Sequence, residues 1–439
     1  MESPGVSACG RFLCQGDGSP FFLLGDTAWT LFQRLKRGEV EHYFKVRKKQ
    51  GFNTVLAVVL SEMDGLRVPN ANGHLPLLGE DPARPNEYYF RFVDEVVRMA
   101  AETGLYIGLL PTWGDKVDGT RWGIGPQIFN AGNARVYGQF LGRRYRGDGN
   151  IIWVMGGDRP AAGFEGIWNA MAEGIAEGLG RRGLFTYHPW GGHSSSAWLH
   201  EADWLDMNLL QSGHVRPDEP VWDMVSRDYD RLPVKPVLDG EPNYEDHPIN
   251  PFARKWQPDF GRFTDYDVRK QAYRSVFSGA CGHVYGHHSV WQFLGPDREP
   301  VNFPMPAWEE AVLRPGASQL VHLKELILSR PYASRIPDQG MLVDLPPAPA
   351  EGDGAALAVW RAGHPCATRC ARGAYGLVYV PLAGQAVRVD LGRLSGRVRA
   401  SWFDPRNGKT FPAGEHANGV VEFVSPVAGP DWVLVLDGV

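Results

Sequence analysis

The sequence predicts an α/β architecture: a (β/α)8 TIM barrel over residues 1–340, followed by a C-terminal antiparallel β-sandwich over 341–439. Three observations carry this. Eight short apolar runs, each emptying into polar, Gly-rich residues, alternate with helix-like stretches through the first three quarters of the chain. The runs are continuously apolar, as strands of a parallel sheet buried on both faces must be. Past Pro331 the pattern changes to brief alternating runs separated by Gly, Pro and Asn, the spacing of a sandwich. An open doubly wound sheet is the competing architecture, but no G-x-G-x-x-G follows the first strand.

In order, Phe21–Leu24 runs into Gly25-Asp26-Thr27-Ala28-Trp29, Thr54–Leu60 into Ser61-Glu62, and Tyr106–Leu110 into Pro111-Thr112-Trp113. Ile151–Met155 runs into Gly156-Gly157-Asp158-Arg159, and Leu184–Tyr187 into His188-Pro189-Trp190. Leu205–Leu210 leads to Gln211-Ser212-Gly213-His214, Pro236–Leu238 to Asp239-Gly240-Glu241, and His283–Tyr285 to Gly286-His287-His288. Helices are expected at Glu39–Gln50, at Asn86–Thr103 with an apolar stripe ending at Gly104, and at Ala134–Tyr145, Phe164–Leu179 and Trp222–Leu232. Two more are expected at Asp265–Gly279, with Asp265 as its cap, and at Ala317–Ser329. The sandwich strands are expected at Leu342–Leu345, Ala356–Trp360, Tyr375–Pro381, Ala386–Leu391, Val398–Phe403, Gly419–Val424 and Asp431–Leu436.

The 439 residues suffice for a sizeable core, and 22% charged against 43% hydrophobic residues exclude a disordered chain. Lys+Arg total 45 against 50 Asp+Glu, so no basic footprint for nucleic acid or an anionic membrane is expected. No run reaches about 18 apolar residues, the length of a membrane span. The composition does not set the oligomeric state. Five cysteines are too few for a disulfide scaffold. The close pairs Cys9/Cys14 and Cys366/Cys370 lack zinc spacing, so reduced thiols or local bridges are expected. Met1-Glu2-Ser3-Pro4 does not open a signal peptide, so the expectation is a cytoplasmic protein, or an exported one if a leader has been trimmed.

In a parallel barrel, chemistry lies where the strands end. Asp158 follows the fourth strand and Glu241 the seventh, so two carboxyls flank one mouth. Glycoside hydrolysis needs such a pair: one carboxyl to protonate the leaving oxygen, the other to attack the sugar or activate water. Asp26, after the first strand, reads as a binder of substrate hydroxyls as well as a helix cap, and Arg159 as a partner for a carboxylate or hydroxyl. Trp29, Trp113, Trp122, Trp190 and Trp291 fall in loops at the same face, suiting the C–H face of a sugar. His188, His193, His214, His283, His287 and His288 suit hydrogen bonding to hydroxyls or carboxylates; their spacing is not that of a metalloprotease, and neither metal nor cofactor is expected. No G-x-S-x-G or phosphate loop occurs.

Several motifs resemble the apiosidase-like glycoside hydrolases (glycoside hydrolase family 140 and relatives). They are Gly25-Asp26-Thr27-Ala28-Trp29-Thr30-Leu31-Phe32, Gly51-Phe52-Asn53, Trp153-Val154-Met155-Gly156-Gly157-Asp158 and Asp206-Met207-Asn208 with Gln211-Ser212-Gly213-His214. Asp239-Gly240-Glu241-Pro242-Asn243-Tyr244-Glu245 and Gly282-His283-Val284-Tyr285-Gly286 complete the set, in order along the chain. Trp402-Phe403-Asp404-Pro405-Arg406-Asn407-Gly408 and Asp431-Trp432-Val433-Leu434 resemble the β-sandwich that follows such barrels, labelled a collagen-binding domain. The resemblance implies a barrel that cleaves terminal apiose, a branched pentose, from a glycoside or pectic side chain, with Asp158 as acid/base and Glu241 as nucleophile. With these motifs go expected substrate contacts at Asn53, Asn208, Gln211, His214 and Tyr285, beside Asp26, Trp29, Trp113, Arg159, His188 and Trp291. A pentosidase or deoxyhexosidase of other specificity, and a non-catalytic carbohydrate-binding protein, remain the alternatives. Two carboxyls projecting into a narrow mouth favour the closer spacing of a retaining pair. The sandwich is expected to buttress the barrel rather than to supply catalytic groups.

Overall fold

The computed structural model describes residues 1–120, 122–252 and 256–439. Its barrel strands are β1 (Leu23–Thr27), β2 (Thr54–Leu60), β3 (Tyr106–Thr112), β4 (Ile151–Gly156), β5 (Phe185–His188), β6 (Asn208–Gln211), β7 (Val237–Asp239) and β8 (Gly282–Tyr285). They pair in the order β5-β4-β3-β2-β1-β8-β7-β6, each neighbour parallel to the next. Between β5 and β6 the ring is bridged by the Asp206 N–H donating to the Phe185 carbonyl at 3.0 Å and by Thr186 Oγ1 donating to the Met207 carbonyl at 2.8 Å. A two-residue arm, His193–Ser194, pairs antiparallel with the far edge of β6.

The helices are α1 (Arg37–Lys49), α2 (Glu87–Thr103), α3 (Ala131–Arg144), α4 (Glu165–Leu179), α5 (Val221–Tyr229), α6 (Asp265–Phe277) and α7 (Pro315–Leu328), close to their expected positions. Local chemistry sets their ends. The Asn86 side chain accepts from the Tyr88 N–H to start α2, and Gly104, with φ 75°, stops it. The buried face of α2 includes Tyr89, Phe92, Val93, Val96, Val97 and Ala100, the apolar stripe of the sequence. Thr264 with Asp267 caps α6, so Asp265 lies inside the helix rather than at its cap. Helices α3 and α4 touch backbone to backbone: a Cβ on Gly138 would sit 2.3 Å from the Met171 carbonyl oxygen.

The C-terminal strands are β9 (Arg335–Pro337), β10 (Leu342–Val343), β11 (Cys366–Cys370), β12 (Tyr375–Val380), β13 (Ala386–Asp390), β14 (Val398–Phe403), β15 (Thr410–His416), β16 (Val420–Val424) and β17 (Trp432–Gly438). Two antiparallel sheets result, β9-β11-β12-β17-β14-β15 and β10-β13-β16. The expected strand Ala356–Trp360 is instead the middle of a helix, α8 (Gly354–Ala362). Alanines favour that helix, and the Asp353 carboxylate accepts from the Ala356 N–H at 3.0 Å to start it. Strands β9, β11 and β15 were not foreseen, and β9 places the C-terminal sheet's first residues before 341. Strand β15 is an edge strand interrupted by Pro412 and Gly414, which erases the alternation that marks a strand.

The central strands of the six-stranded sheet are buried on both faces, and β17 shows how. Trp432, Leu434 and Leu436 face the core shared with the smaller sheet, while Val433 and Val435 join Tyr273, Val276 and Phe277 of α6 in the barrel's core. Across this seam Arg269 of α6 donates from Nε and Nη2 to the Asp431 carboxylate at 2.9 and 2.6 Å, both side chains fully buried. Tyr379 Oη donates to the same carboxylate at 2.9 Å. Arg274 of α6 donates to the Asp218 carboxylate of the barrel at 2.9 Å and to the carbonyls of Arg361, Ala362 and His364. All five cysteines are free thiols.

Asp431→Ala would leave the Arg269 charge buried and short of its main partner, so it is expected to cost about 3–5 kcal/mol of unfolding free energy in denaturant titrations. A loss below about 1 kcal/mol would contradict a structural role for the pair.

Candidate active site

The C-terminal ends of the barrel strands open onto a cavity of about 540 Å³, lined by barrel residues that include Trp29, Glu62, Trp113, Asp158, Gln211, His214, Glu241, Tyr244 and Trp291. Asp158 reaches it through an unusual turn. Gly156, Gly157 and Asp158 all have positive φ, at 85°, 124° and 52°. Glycine is required at 157 for a second reason, since a Cβ there would lie 2.8 Å from the Trp113 indole. The turn re-aims the chain after β4 so that the Asp158 carboxyl meets the Gln211 side chain and feels the charge of Glu241. Burial, then the Glu241 charge, push the Asp158 carboxyl above its ordinary range.

Glu241 follows β7 and is 7% exposed. Burial by itself would raise its carboxyl. Two imidazoles outweigh that and hold it down at about 2: His188 Nε2 lies 2.9 Å from Oε2, and His214 Nε2 lies 3.0 Å from Oε1. The His188 tautomer is set from behind. The backbone N–H of Asp158 donates to His188 Nδ1 at 3.2 Å, which places the ring proton on Nε2, facing Glu241. The two carboxyls are thus driven apart, Asp158 toward the protonated form and Glu241 toward the ionised one, the division of labour that an acid and a nucleophile require.

Indoles make the walls. Trp29 and Trp113 lie 5.3 Å apart by ring centroids, and both pack against the His188 ring at 5.2 and 5.7 Å. Trp291 is held by its Nε1–H donating to His288 Nδ1 at 3.2 Å. On the other side His214 stacks on His247 at 4.2 Å; burial drives His247 well below the usual imidazole range, and His288 down to about 3. Asn243 holds the loop beneath by donating to the Gly213 carbonyl at 2.6 Å. Among the described residues no cluster of three or more His, Cys, Asp or Glu is arranged to hold a metal ion.

Of the residues singled out in the sequence, Trp29, Trp113, Asp158, Gln211, His214, Glu241 and Trp291 line the cavity, with Trp122 and Trp190 on its walls and His188 beneath Glu241. Others are placed elsewhere. Strand β1 runs on to Thr27, so Asp26 lies within it, fully buried and bonded to Tyr43 Oη and to Arg47 Nε of α1. Asn53 laces β2 to β1 at their N-terminal ends, taking the Leu24 N–H at 2.9 Å and donating to the Phe22 carbonyl at 2.8 Å. Arg159 turns back onto the carbonyls of Asp118, Asp158 and Trp122. Asn208 pairs with His200 Nδ1 at 3.2 Å, and Tyr285 Oη donates to Glu245 at 2.5 Å. These five side chains are spent on the scaffold rather than presented to the cavity. His283 is a core residue, its imidazole driven down to about 3 by burial.

The sequence reading passed over Glu62, Tyr244, His247, Arg216, Glu219 and Asn302, which line the cavity too. Only Glu62 carried a signal, an acid directly after a strand end, the setting of Asp158 and Glu241. The others lie in loops whose path depends on the fold.

A family model described as "Apiosidase-like, catalytic domain" matches residues 7–334, and one described as "Putative collagen-binding domain of a collagenase" matches residues 355–437. A solved structure described as a glycoside hydrolase is 32% identical, with a TM-score of 0.87 over 100% of this chain and 97% of the other. A glycoside hydrolase family 5 structure from Bacteroides vulgatus is 34% identical, with a TM-score of 0.87 over 99% and 93% of the two chains. A β-L-arabinopyranosidase from Geobacillus stearothermophilus, 14% identical with a TM-score of 0.54 over 95% and 97%, shares the fold alone. No curated protein matches the chain.

Around the strand ends, Glu62, Asp239 and Glu245 are each pushed up to about 7, chiefly by burial. A carboxyl raised in the folded state stabilises the fold below its unfolded value, and that contribution is lost as pH rises toward the folded value. Glu241, held at about 2, acts in the opposite sense: its contribution is present above about 4.5 and lost as pH falls through about 2. Asp239→Asn is therefore expected to flatten the decline in melting temperature between about pH 4 and pH 7. An unchanged slope in thermal melts across that range would place the proton elsewhere.

Proposed function

The chain belongs to the apiosidase-like glycoside hydrolases, and from that premise we propose that it releases a terminal sugar, apiose, from a glycoside or pectic side chain with retention of anomeric configuration. The observation that carries the reading is the opposed state of two carboxyls at one cavity: Glu241 held at about 2 and Asp158 raised. Glu241, oriented by His188 and His214, attacks the anomeric carbon. Asp158 gives its proton to the departing glycosidic oxygen. Forming the glycosyl ester removes the Glu241 charge, one of the two main causes that raise Asp158, so Asp158 is then at ease as a carboxylate. In that form it takes a proton from the water that cleaves the ester, and the returning Glu241 charge favours its protonation for the next cycle. The indole walls exclude water and offer flat faces to the sugar's C–H groups. The cavity volume, about 540 Å³, lies in the range of small-ligand sites.

A panel of aryl glycosides, apiosides included, tests the reading, with the first-formed anomer followed by NMR. Glu241→Gln is expected to abolish turnover even of substrates with good leaving groups. Asp158→Asn is expected to lower kcat by about 10²–10⁴-fold on poor leaving groups and far less on good ones, with partial rescue by azide. An inverted first product would make Glu241 a base acting on water, and preference for another sugar would replace apiose.

A further inference from the structure

The mechanism leaves one buried carboxyl of the cavity unused. Glu62 stands two residues past the end of β2, is 1% exposed, and lines the cavity. Its Oε2 receives a hydrogen bond from Ser61 Oγ at 3.2 Å; its Oε1 is buried with no partner among the described residues. Among the described residues, the two cations that feel its charge are committed elsewhere. Lys116 Nζ donates to both Asp115 oxygens at 2.9 and 2.8 Å and to the Ser61 carbonyl at 2.9 Å. Arg34 donates to the carbonyls of Gln292 at 2.6 Å and Glu299 at 3.1 Å. A buried carboxyl oxygen that no described residue satisfies is costly, and such costs persist where a ligand repays them.

A complementary donor stands on the neighbouring strand. Trp113 follows β3, its backbone N–H donates to the Leu60 carbonyl at 3.0 Å, and its Nε1–H is buried at the same cavity, again with no partner among the described residues. One acceptor and one donor, both unsatisfied, on adjacent strand ends match a single chemical group: an alcohol, which donates one hydrogen bond and accepts another. The other two carboxyls occupy the anomeric end. Asp158 and Glu241 project from β4 and β7, whereas Glu62 projects from β2, so a sugar seated between them turns a non-anomeric position toward Glu62.

We propose that Glu62 Oε1 and the Trp113 indole N–H form the subsite that recognises a non-anomeric hydroxyl of the sugar, so that hydroxylated sugars are accepted and the corresponding deoxy sugars rejected. The proposal rests on the glycosidase reading above and adds the group that sets its sugar selectivity. A site built to bond a hydroxyl leaves its own polar groups stranded when the hydroxyl is missing, which is how such sites discriminate strongly.

The experiment pairs enzyme variants with substrate variants. The full chain, Glu62→Gln and Glu62→Leu are assayed on an aryl apioside and on its monodeoxy analogues, and free apiose and the deoxy pentoses are titrated calorimetrically into each protein. The wild type is expected to prefer the hydroxylated substrate over one deoxy analogue by at least about 10²-fold in kcat/KM. Glu62→Leu is expected to collapse that ratio to below about 10, and the isosteric Glu62→Gln to raise KM more than it lowers kcat. Free-sugar affinity should fall at least about 10-fold in Glu62→Leu with the deoxy sugar unaffected. A Glu62→Leu protein that slows every substrate equally, keeping the ratio, would overturn the proposal, as would a wild type indifferent to each hydroxyl. If no glycoside is hydrolysed, the glycosidase reading fails by itself, and the calorimetric hydroxyl discrimination still decides Glu62. Should Glu62→Leu not fold, Glu62→Ala carries the same comparison.

Discussion

Keeping one carboxylate ionised inside a pocket walled by indoles is the constraint around which the barrel mouth is built. Apolar walls favour the neutral acid, and burial pushes Glu241 that way. Two imidazoles reverse the balance, and one of them, His188, is locked in tautomer by the Asp158 N–H. The residue that carries the raised carboxyl therefore also helps to hold the ionised one. The left-handed turn through Gly156, Gly157 and Asp158 serves both: it aims the carboxyl into the cavity and the N–H at His188.

The second domain bears on this site indirectly. The six-stranded sheet packs on α6, and α6 joins β7, whose end carries Glu241, to β8. Buried charges on that helix, Arg269 and Arg274, are satisfied by Asp431 and by carbonyls of the C-terminal domain. Helix α6 thus has part of its buried polar chemistry completed by the sandwich, beside the barrel's own Asp218 on Arg274 and Asp265 on Arg269. Every described residue lining the cavity comes from the barrel, so among them the sandwich supports the site without entering it.

Much of the site was legible because a parallel barrel gathers strand ends at one face. Asp158, Gln211, His214 and Glu241 follow apolar runs directly, and that position alone is enough to bring them together. Glu62 has the same setting after β2 and was overlooked as the second of two polar residues past a strand. Asp26 was misplaced by strand length. The apolar run ends at Leu24, but the strand continues to Thr27 and turns Asp26 outward onto Arg47. Asn53, Asn208 and Tyr285 are polar residues in family-like motifs, and Arg159 directly follows one; the hydrogen bonds of all four are consumed within the scaffold.

The order of apolar runs and helical stripes, the glycines before Asp158, and the change of rhythm after Pro331 determined by themselves the fold class and the two carboxyls at the barrel mouth, because periodicity and backbone conformation are local properties of a chain. The protonation states of the two carboxyls, the unpartnered oxygen of Glu62 and the Arg269–Asp431 seam were decided only by tertiary structure. Each depends on which distant groups stand within a few ångströms in a place that water does not reach, and no local pattern encodes that.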